Sequence, residues 1–271
     1  MSEPPLSPQS PALGPNSNAE PSLVTPLPAP GPARRVDTHS HLLPGIDDGC
    51  KTVEESIACA KILVANGYSH AFCTPHIWHH NRAISRTSAP RLVKMLQTEL
   101  DAAQVPLTLL PGGEMNLFLG VDKTPAEEVV PLGMGTYMLV DIWCAELPPF
   151  FEAAIEWLQN LGLSVVLAHP ERMRAIQDDP DLIDYIQSLG VYLQGNLQCF
   201  TDKPESATRR CAEQFLLDGK YFILGSDTHN PETIDVRMNG LPRVRELVGD
   251  ETMDQLTVVN PRKLVPEVFG L

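Results

Sequence analysis

An α/β fold, a (β/α)7 TIM-like barrel in a single domain, is predicted by three features of this 271-residue chain. From Arg35 onward, short apolar runs alternate with amphipathic stretches, the signature of parallel strands joined by crossover helices. Seven such runs fill residues 35–271, which suits one closed or nearly closed barrel better than two domains. Six of the seven run into His, Asp or Glu, as expected where every strand C-terminus opens onto one face.

In chain order, strands are expected over 35–38, 69–74, 107–111, 137–142, 164–168, 191–195 and 221–225. Helical patterns lie between them at 53–66, 90–103, 150–161, 181–189 and 205–218, with a further pair near the C-terminus. Thr52 and Glu55 fit a capping box at the start of the first helix, and Gly67 stands where a left-handed residue ends it. Tyr68 and Phe72 read as core. Residues 1–34 hold ten of the 26 prolines, two acids and no aromatic side chain. That composition buries too little apolar surface to offset the entropy of ordering, so a disordered Pro-rich tail is expected there, with a docking segment as the alternative.

Composition excludes several functions. Lys and Arg number 20 against 34 Asp and Glu, a net charge of −14, which disfavours nucleic acid as partner. No apolar run reaches the roughly 18 residues of a membrane span. No basic-then-apolar leader follows Met1, so a cytoplasmic setting with free thiols is expected for Cys50, Cys59, Cys73, Cys144, Cys199 and Cys211. None of the six is followed by Arg six positions later, so the phosphate loop of thiol-based phosphatases is absent.

The ionisable residues are the most informative. The first strand runs into Asp37-Thr38-His39-Ser40-His41 and then Asp47-Asp48-Gly49. Later strands end in Thr74-Pro75-His76, Gly113-Glu114, Asp141, His169-Pro170-Glu171-Arg172 and Ser226-Asp227-Thr228-His229. Only the sixth, ending Gly195-Asn196, offers no charge or imidazole. In extended chain, residues i and i+2 project to one side, so His39 with His41, and Asp227 with His229, can reach a shared ion. Imidazoles and carboxylates without sulfur are typical of Zn, Mn or Fe hydrolytic sites.

The segments 36–49, 74–76, 113–114, 168–172 and 225–230 together resemble the polymerase-and-histidinol-phosphatase (PHP) superfamily. Within it they are most similar to the bacterial manganese-dependent protein-tyrosine phosphatases of capsule and exopolysaccharide clusters. The resemblance covers about residues 35–265, including Val259-Asn260-Pro261. It implies a distorted, PHP-type barrel with three ions, manganese by expectation and iron or zinc as alternatives. By the same resemblance, the first ion takes His39, His41, Glu114 and Asp227. The second takes Glu114 as bridge, His76 and one acid of the pair Asp47-Asp48, with Asp48 preferred. The third takes Asp141, His169 and His229, and Asp141 stands where the family usually has Glu.

The implied activity is hydrolysis of phosphotyrosine by a metal-bound hydroxide, with a bacterial tyrosine kinase of polysaccharide biosynthesis as the expected partner. Hydrolysis of a small phosphate ester, of histidinol-phosphate or nucleotide type, is the alternative. Arg172, Asp227 and His229 are the expected catalytic residues. Arg172 is the preferred grip on phosphate, with Arg237 a second candidate that comes late in the chain. Trp78 is a candidate to stack on the substrate ring, with capping of the barrel edge as the alternative, and Arg82 a candidate to steer the phosphate. Trp143 and Cys144 read as packing.

Overall fold

The computed structural model describes residues 34–79 and 83–271. The expected tail therefore lies outside the described residues, Arg34 excepted, and so does Arg82. The chain forms two parallel sheets. In the first, β1 (Arg35–Asp37), β2 (Tyr68–Cys73) and β4 (Thr108–Pro111) pair in that order. In the second, the order is β3 (His76–Ile77), β5 (Glu114–Asn116), β6 (Tyr137–Asp141), β7 (Ser164–Ala168), β8 (Tyr192–Asn196) and β9 (Ile223–Gly225). The seven expected strands are all present, with ends that differ by at most two residues from those expected.

Two strands were expected to stop where they instead break and resume. β2 pairs with β4, and two residues later β3 pairs with β5, so Thr74-Pro75 and Gly112-Gly113 interrupt two strands side by side. Pro75 has no N–H to give a ladder. At Gly113 a Cβ would meet Ile77 Cδ1 at 2.6 Å, so no larger residue fits between the strands without movement. Thr74 N–H donates to Ser40 O at 2.8 Å, and Glu114 N–H to Pro75 O at 3.1 Å. The breaks thereby fix where His76 and Glu114 emerge. At the other margin, Asp227 N–H donates to His39 O at 2.7 Å and His41 N–H to Thr228 O at 2.8 Å. A parallel bridge between Ser40 and Thr228 joins the chain beyond β1 to the chain beyond β9.

The helices follow their patterns. In α1 (Val53–Ala65) Thr52 Oγ1 accepts from Glu55 N–H at 3.3 Å, while the Glu55 carboxylate accepts from Lys51 N–H at 2.7 Å, one residue before the expected capping-box partner. Gly67 has φ +84°, the left-handed conformation a glycine adopts without cost. α2 (Ser88–Ala102) buries Ala89, Val93, Leu96 and Leu100, a single helical stripe. α3 (Phe151–Asn160), α5 (Leu182–Ser188) and α6 (Ala207–Leu217) match expectation, and a short α4 (Arg174–Asp178) was not foreseen. The C-terminal pair is longer than expected: α7 (Ile234–Met238), α8 (Gly240–Asp254), a π-helical turn Gln255–Val259, α9 (Asn260–Arg262) and α10 (Pro266–Phe269). No helix among the described residues is long and apolar enough to cross a membrane.

Strand alternation divides the core into two. Met138, Val140, Val165 and Leu167 belong to the large cluster packed with the helices. Their alternates Leu139, Val166 and Ala168 join Val36, Phe72, Leu110 and Ile223 in a separate cluster, capped by Leu264 and Val265. Following the same parity toward the strand C-termini leads from Leu110 to Glu114 and from Leu139 to Asp141. The inner column that is apolar at one end is thus ionic at the other.

Candidate metal centre

Glu114 lies at the middle of this ionic end, fully buried. Its two oxygens face different imidazoles. Oε1 is 3.0 Å from His169 Nε2, whereas Oε2 is 2.9 Å from His76 Nδ1 and 3.2 Å from His39 Nε2. Asp227 Oδ1 lies 3.5 Å from His39 Nε2, 3.4 Å from His41 Nε2 and 3.4 Å from His229 Nδ1. Asp48, on the more open side, is 3.5 Å from His76 Nε2 and 3.6 Å from His229 Nε2. All nine expected ligands are therefore gathered in one place.

The donor atoms form overlapping sets, and His39, His41 and Asp227 of the expected first set share one, with Glu114 Oε2 3.2 Å from His39 Nε2 and 3.5 Å from His41 Nε2. Donor atoms within 4.8 Å of one another fall into four overlapping groups: His41, Asp48, His76 and His229; His39, Glu114 and His169; His39, His41 and Asp227; His76, Glu114 and Asp141. Asp141, His169 and His229, expected around one ion, are each drawn into a different group.

The ring nitrogens are oriented from behind. His39 Nδ1 is 2.8 Å from Gln194 Oε1, His41 Nδ1 is 2.6 Å from Asp47 Oδ2, and His229 Nδ1 is 2.8 Å from the Asp227 carbonyl. For His39 and His41 an acceptor behind Nδ1 leaves Nε2 facing inward, where an ion can take the place of its proton. Asp47 and Asp48 thus separate: Asp47 also accepts from His76 N–H at 3.0 Å and orients, while Asp48 faces the ring nitrogens. Gly49 makes this loop possible, because a Cβ there would lie 2.3 Å from the His41 carbonyl oxygen.

Electrostatics and strain mark the same residues. Burial penalises the Glu114 and Asp227 carboxylates, yet the surrounding imidazoles outweigh it and hold both well below the usual range. Burial likewise opposes charge on His39 and His41, but neighbouring carboxylates raise both. Asp141 is pushed up to about 6 by burial and by Glu114, and His229 is lowered to about 4 by burial and by His41. His169 at φ +39° and Asp227 at φ +54° are in left-handed conformations that favour glycine. Such a residue stores about 1–3 kcal/mol of strain, which persists where the surroundings over-determine it.

The donor set fits divalent ions. His76 Nδ1, Glu114 Oε2 and Asp141 Oδ2 are buried without a well-directed hydrogen bond among the described residues, and they belong to one group. Buried carboxylates this close together repel one another unless cations lie between them. No cysteine belongs to these groups among the described residues, and the imidazole and carboxylate donors suit Zn, Mn or Fe.

The groups open into a cavity of about 500 Å³, lined by Asp48, His76, Asp141, His169, Asp227 and His229 together with Trp143, Arg172, Gln198, Asn230, Thr233 and Arg237. Arg172 Nη1 donates to Asp227 Oδ2 at 3.0 Å, and its side chain stays 53% exposed. Arg237, late in the chain, is brought back by α7: its Nε donates to the Asp227 carbonyl at 2.6 Å and its Nη1 to Gln198 Oε1 at 2.5 Å. Trp78 is not among the lining residues. It stacks on His76, with ring centroids 4.7 Å apart at 21°.

Strand-end reasoning by charge missed the sixth strand. Gln194 holds His39, and Asn196 Nδ2 donates to Asp227 Oδ2 at 2.8 Å. The signal was there in kind: two amides at alternate positions of a buried strand need partners.

The family description "Capsular polysaccharide synthesis, CpsB/CapC" matches residues 35–266. Tyrosine-protein phosphatase YwqE of Bacillus subtilis (strain 168) is 30% identical over 207 residues, 73% of this chain and 78% of that protein. Tyrosine-protein phosphatase CpsB of Streptococcus agalactiae serotype V is 25% identical over 244 residues, 85% of this chain and 98% of that protein. A solved structure described as YwqE from Bacillus subtilis and CpsB from Streptococcus pneumoniae, unique metal-dependent tyrosine phosphatases, superposes with TM-score 0.73 at 25% identity. It covers 80% of this chain and 89% of that one. The phosphotriesterase homology protein from Escherichia coli, at TM-score 0.54 and 12% identity over 86% of this chain and 99% of its own, shares the fold.

Proposed function

The chain belongs to the capsular polysaccharide synthesis, CpsB/CapC family, and from that premise we propose that it is a metal-dependent protein-tyrosine phosphatase acting within residues 35–271. The observation that carries this reading is the convergence of overlapping imidazole and carboxylate groups on a cavity that also presents two guanidinium groups. Strand extensions that meet at Ser40 and Thr228 support a seven-stranded, barrel-like ring.

Three ions are assigned to His39, His41, Asp48, His76, Glu114, Asp141, His169, Asp227 and His229, with Glu114 shared. Manganese is the favoured metal, by resemblance rather than by donor chemistry. When bound, such ions neutralise phosphoryl oxygens and lower the pKa of a bound water toward about 7. The chain's own residues supply the rest. Arg172 keeps donors beyond the one given to Asp227, and two parallel N–H bonds suit a phosphate. Arg237 sits beside it, fixed by Gln198 and the Asp227 carbonyl, so two positive charges face a dianion inside an otherwise acidic protein. Asp227 organises the centre by accepting from Arg172 and Asn196 through Oδ2 while its Oδ1 faces three imidazoles. Burial and the neighbouring His41 disfavour charge on His229, in keeping with a role for its ring as a donor to an ion. A phenolate leaves with pKa about 10, so little acid assistance is required.

The physiological substrate we assign is a phosphotyrosine protein, with a bacterial tyrosine kinase of polysaccharide synthesis as the partner of choice. A cytoplasmic setting is in keeping with six unbridged cysteines. The test compares kcat/KM for a phosphotyrosine peptide with that for small aliphatic phosphates. A value favouring the peptide is expected, and one favouring the aliphatic ester overturns the reading.

A further inference from the structure

A phosphotyrosine carries an aromatic ring as well as a phosphate. A tyrosine phosphatase, the reading on which this inference rests, requires something to receive that ring. Trp143 stands two residues beyond Asp141, lines the same cavity and is 64% exposed. It is the one large apolar side chain among the described lining residues; the others are charged, imidazole, amide or hydroxyl groups. A Trp left this open forgoes the burial that usually places indoles inside. Its setting is nonetheless defined. The ring lies 5.8 Å from Trp78 at 67° and 5.8 Å from His76 at 88°, while Trp78 itself is stacked on His76.

Neither contact to Trp143 is a parallel stack, so the offset-stacked geometry remains available to an incoming ring. Trp78 differs: it is committed to His76 and absent from the cavity wall. The cavity thus has an ionic floor with Arg172 and Arg237 for a phosphate dianion and an aromatic lip at Trp143. An alkyl phosphate satisfies the floor and gains nothing from the lip.

We propose that Trp143 is the ring-binding wall of the substrate site, buttressed by Trp78 and His76, and that it makes the site select aryl over alkyl phosphomonoesters. The candidate stacking role of Trp78 passes to Trp143.

The test uses full-length, manganese-loaded protein and two non-hydrolysable ligands, benzylphosphonate and methylphosphonate, titrated against wild type, Trp143→Ala and Trp143→Phe. Loss of an aromatic contact predicts a benzylphosphonate Kd raised about tenfold in Trp143→Ala, a methylphosphonate Kd changed less than about twofold, and recovery of most of the loss in Trp143→Phe. The KM for a phosphotyrosine peptide rises in parallel with little change in kcat. Equal shifts for both phosphonates, or an unchanged benzylphosphonate Kd, overturn the proposal. Wild-type protein that turns over the phosphotyrosine peptide no better than an alkyl phosphate overturns the tyrosine-phosphatase reading itself. Aryl selectivity that survives intact in Trp143→Ala overturns only the assignment to this indole.

Discussion

At Asp227 three demands meet in one residue: a left-handed backbone at φ +54°, a carboxylate oxygen shared among three imidazoles, and a second oxygen held by Arg172 and Asn196. Asn tolerates left-handed conformation and keeps the shape while removing the charge. Asp227→Asn is therefore expected to leave the far-UV circular dichroism unchanged and to lower kcat/KM by more than about a hundredfold, the upper end for a mere orienting residue. Undiminished turnover contradicts the assignment. Gln194 acts one step further out, as acceptor for His39 Nδ1. Gln194→Leu removes that acceptor at similar volume, and metal affinity measured by competition with a chelator dye should fall about 10–100-fold. An unchanged affinity would mean that His39 is oriented by other contacts. The residues that gather around the cavity were legible because charge at a strand end is conspicuous. Gln194 and Asn196 were not, because an amide is ordinary at any exposed position and burial was needed to make it informative. Trp143 read as packing for the converse reason: beside Ile142 and Cys144 its surroundings are apolar in sequence and open in space.

The element that matters most to the centre is the loop from His41 to the start of α1. It carries Asp47 behind His41 and Asp48 facing His76 and His229, and it closes on Gly49. A Cβ at Gly49 meets backbone, at 2.3 Å from the His41 carbonyl oxygen, and backbone cannot rotate away. Gly49→Ala is expected to cost about 1–3 kcal/mol of stability through overpacking and to weaken metal binding together with it. Thr52→Ala, which removes the α1 cap only, should cost about 1 kcal/mol with metal affinity retained. Urea denaturation and metal titration on the two variants separate the cases, and equal metal loss in both would show that the loop is not the sensitive part. The strands and helices of this region were legible from periodicity and capping. The breaks at Thr74-Pro75 and Gly112-Gly113 were not, since Pro and Gly pairs signal the end of a strand, and only a neighbouring strand broken at the same level shows that pairing resumes.

Across the whole molecule, one inner column runs from an apolar plug to the ionic mouth. Leu139 lies in that plug, fully buried with Val36, Phe72, Val166 and Ile223, directly beneath Asp141 in strand parity. Leu139→Ala is expected to lose about 2–5 kcal/mol in chemical denaturation, since neighbours from several strands cannot all collapse into the space. A loss below about 1 kcal/mol would show a looser interior than close packing allows. The α/β class was legible from strand–helix alternation, whereas the isolated bridge between Ser40 and Thr228 depends on a long-range contact that no local pattern encodes. The proposed function depends on divalent ions at the groups formed by Glu114, Asp227 and the surrounding imidazoles. Their presence is read most directly by elemental analysis of the purified protein, paired with phosphotyrosine-peptide hydrolysis before chelation, after chelation and after manganese is restored. Close to three divalent ions per chain are expected, with activity abolished by their removal and regained with manganese. Full turnover from protein stripped of metal would refute a metal-dependent phosphatase.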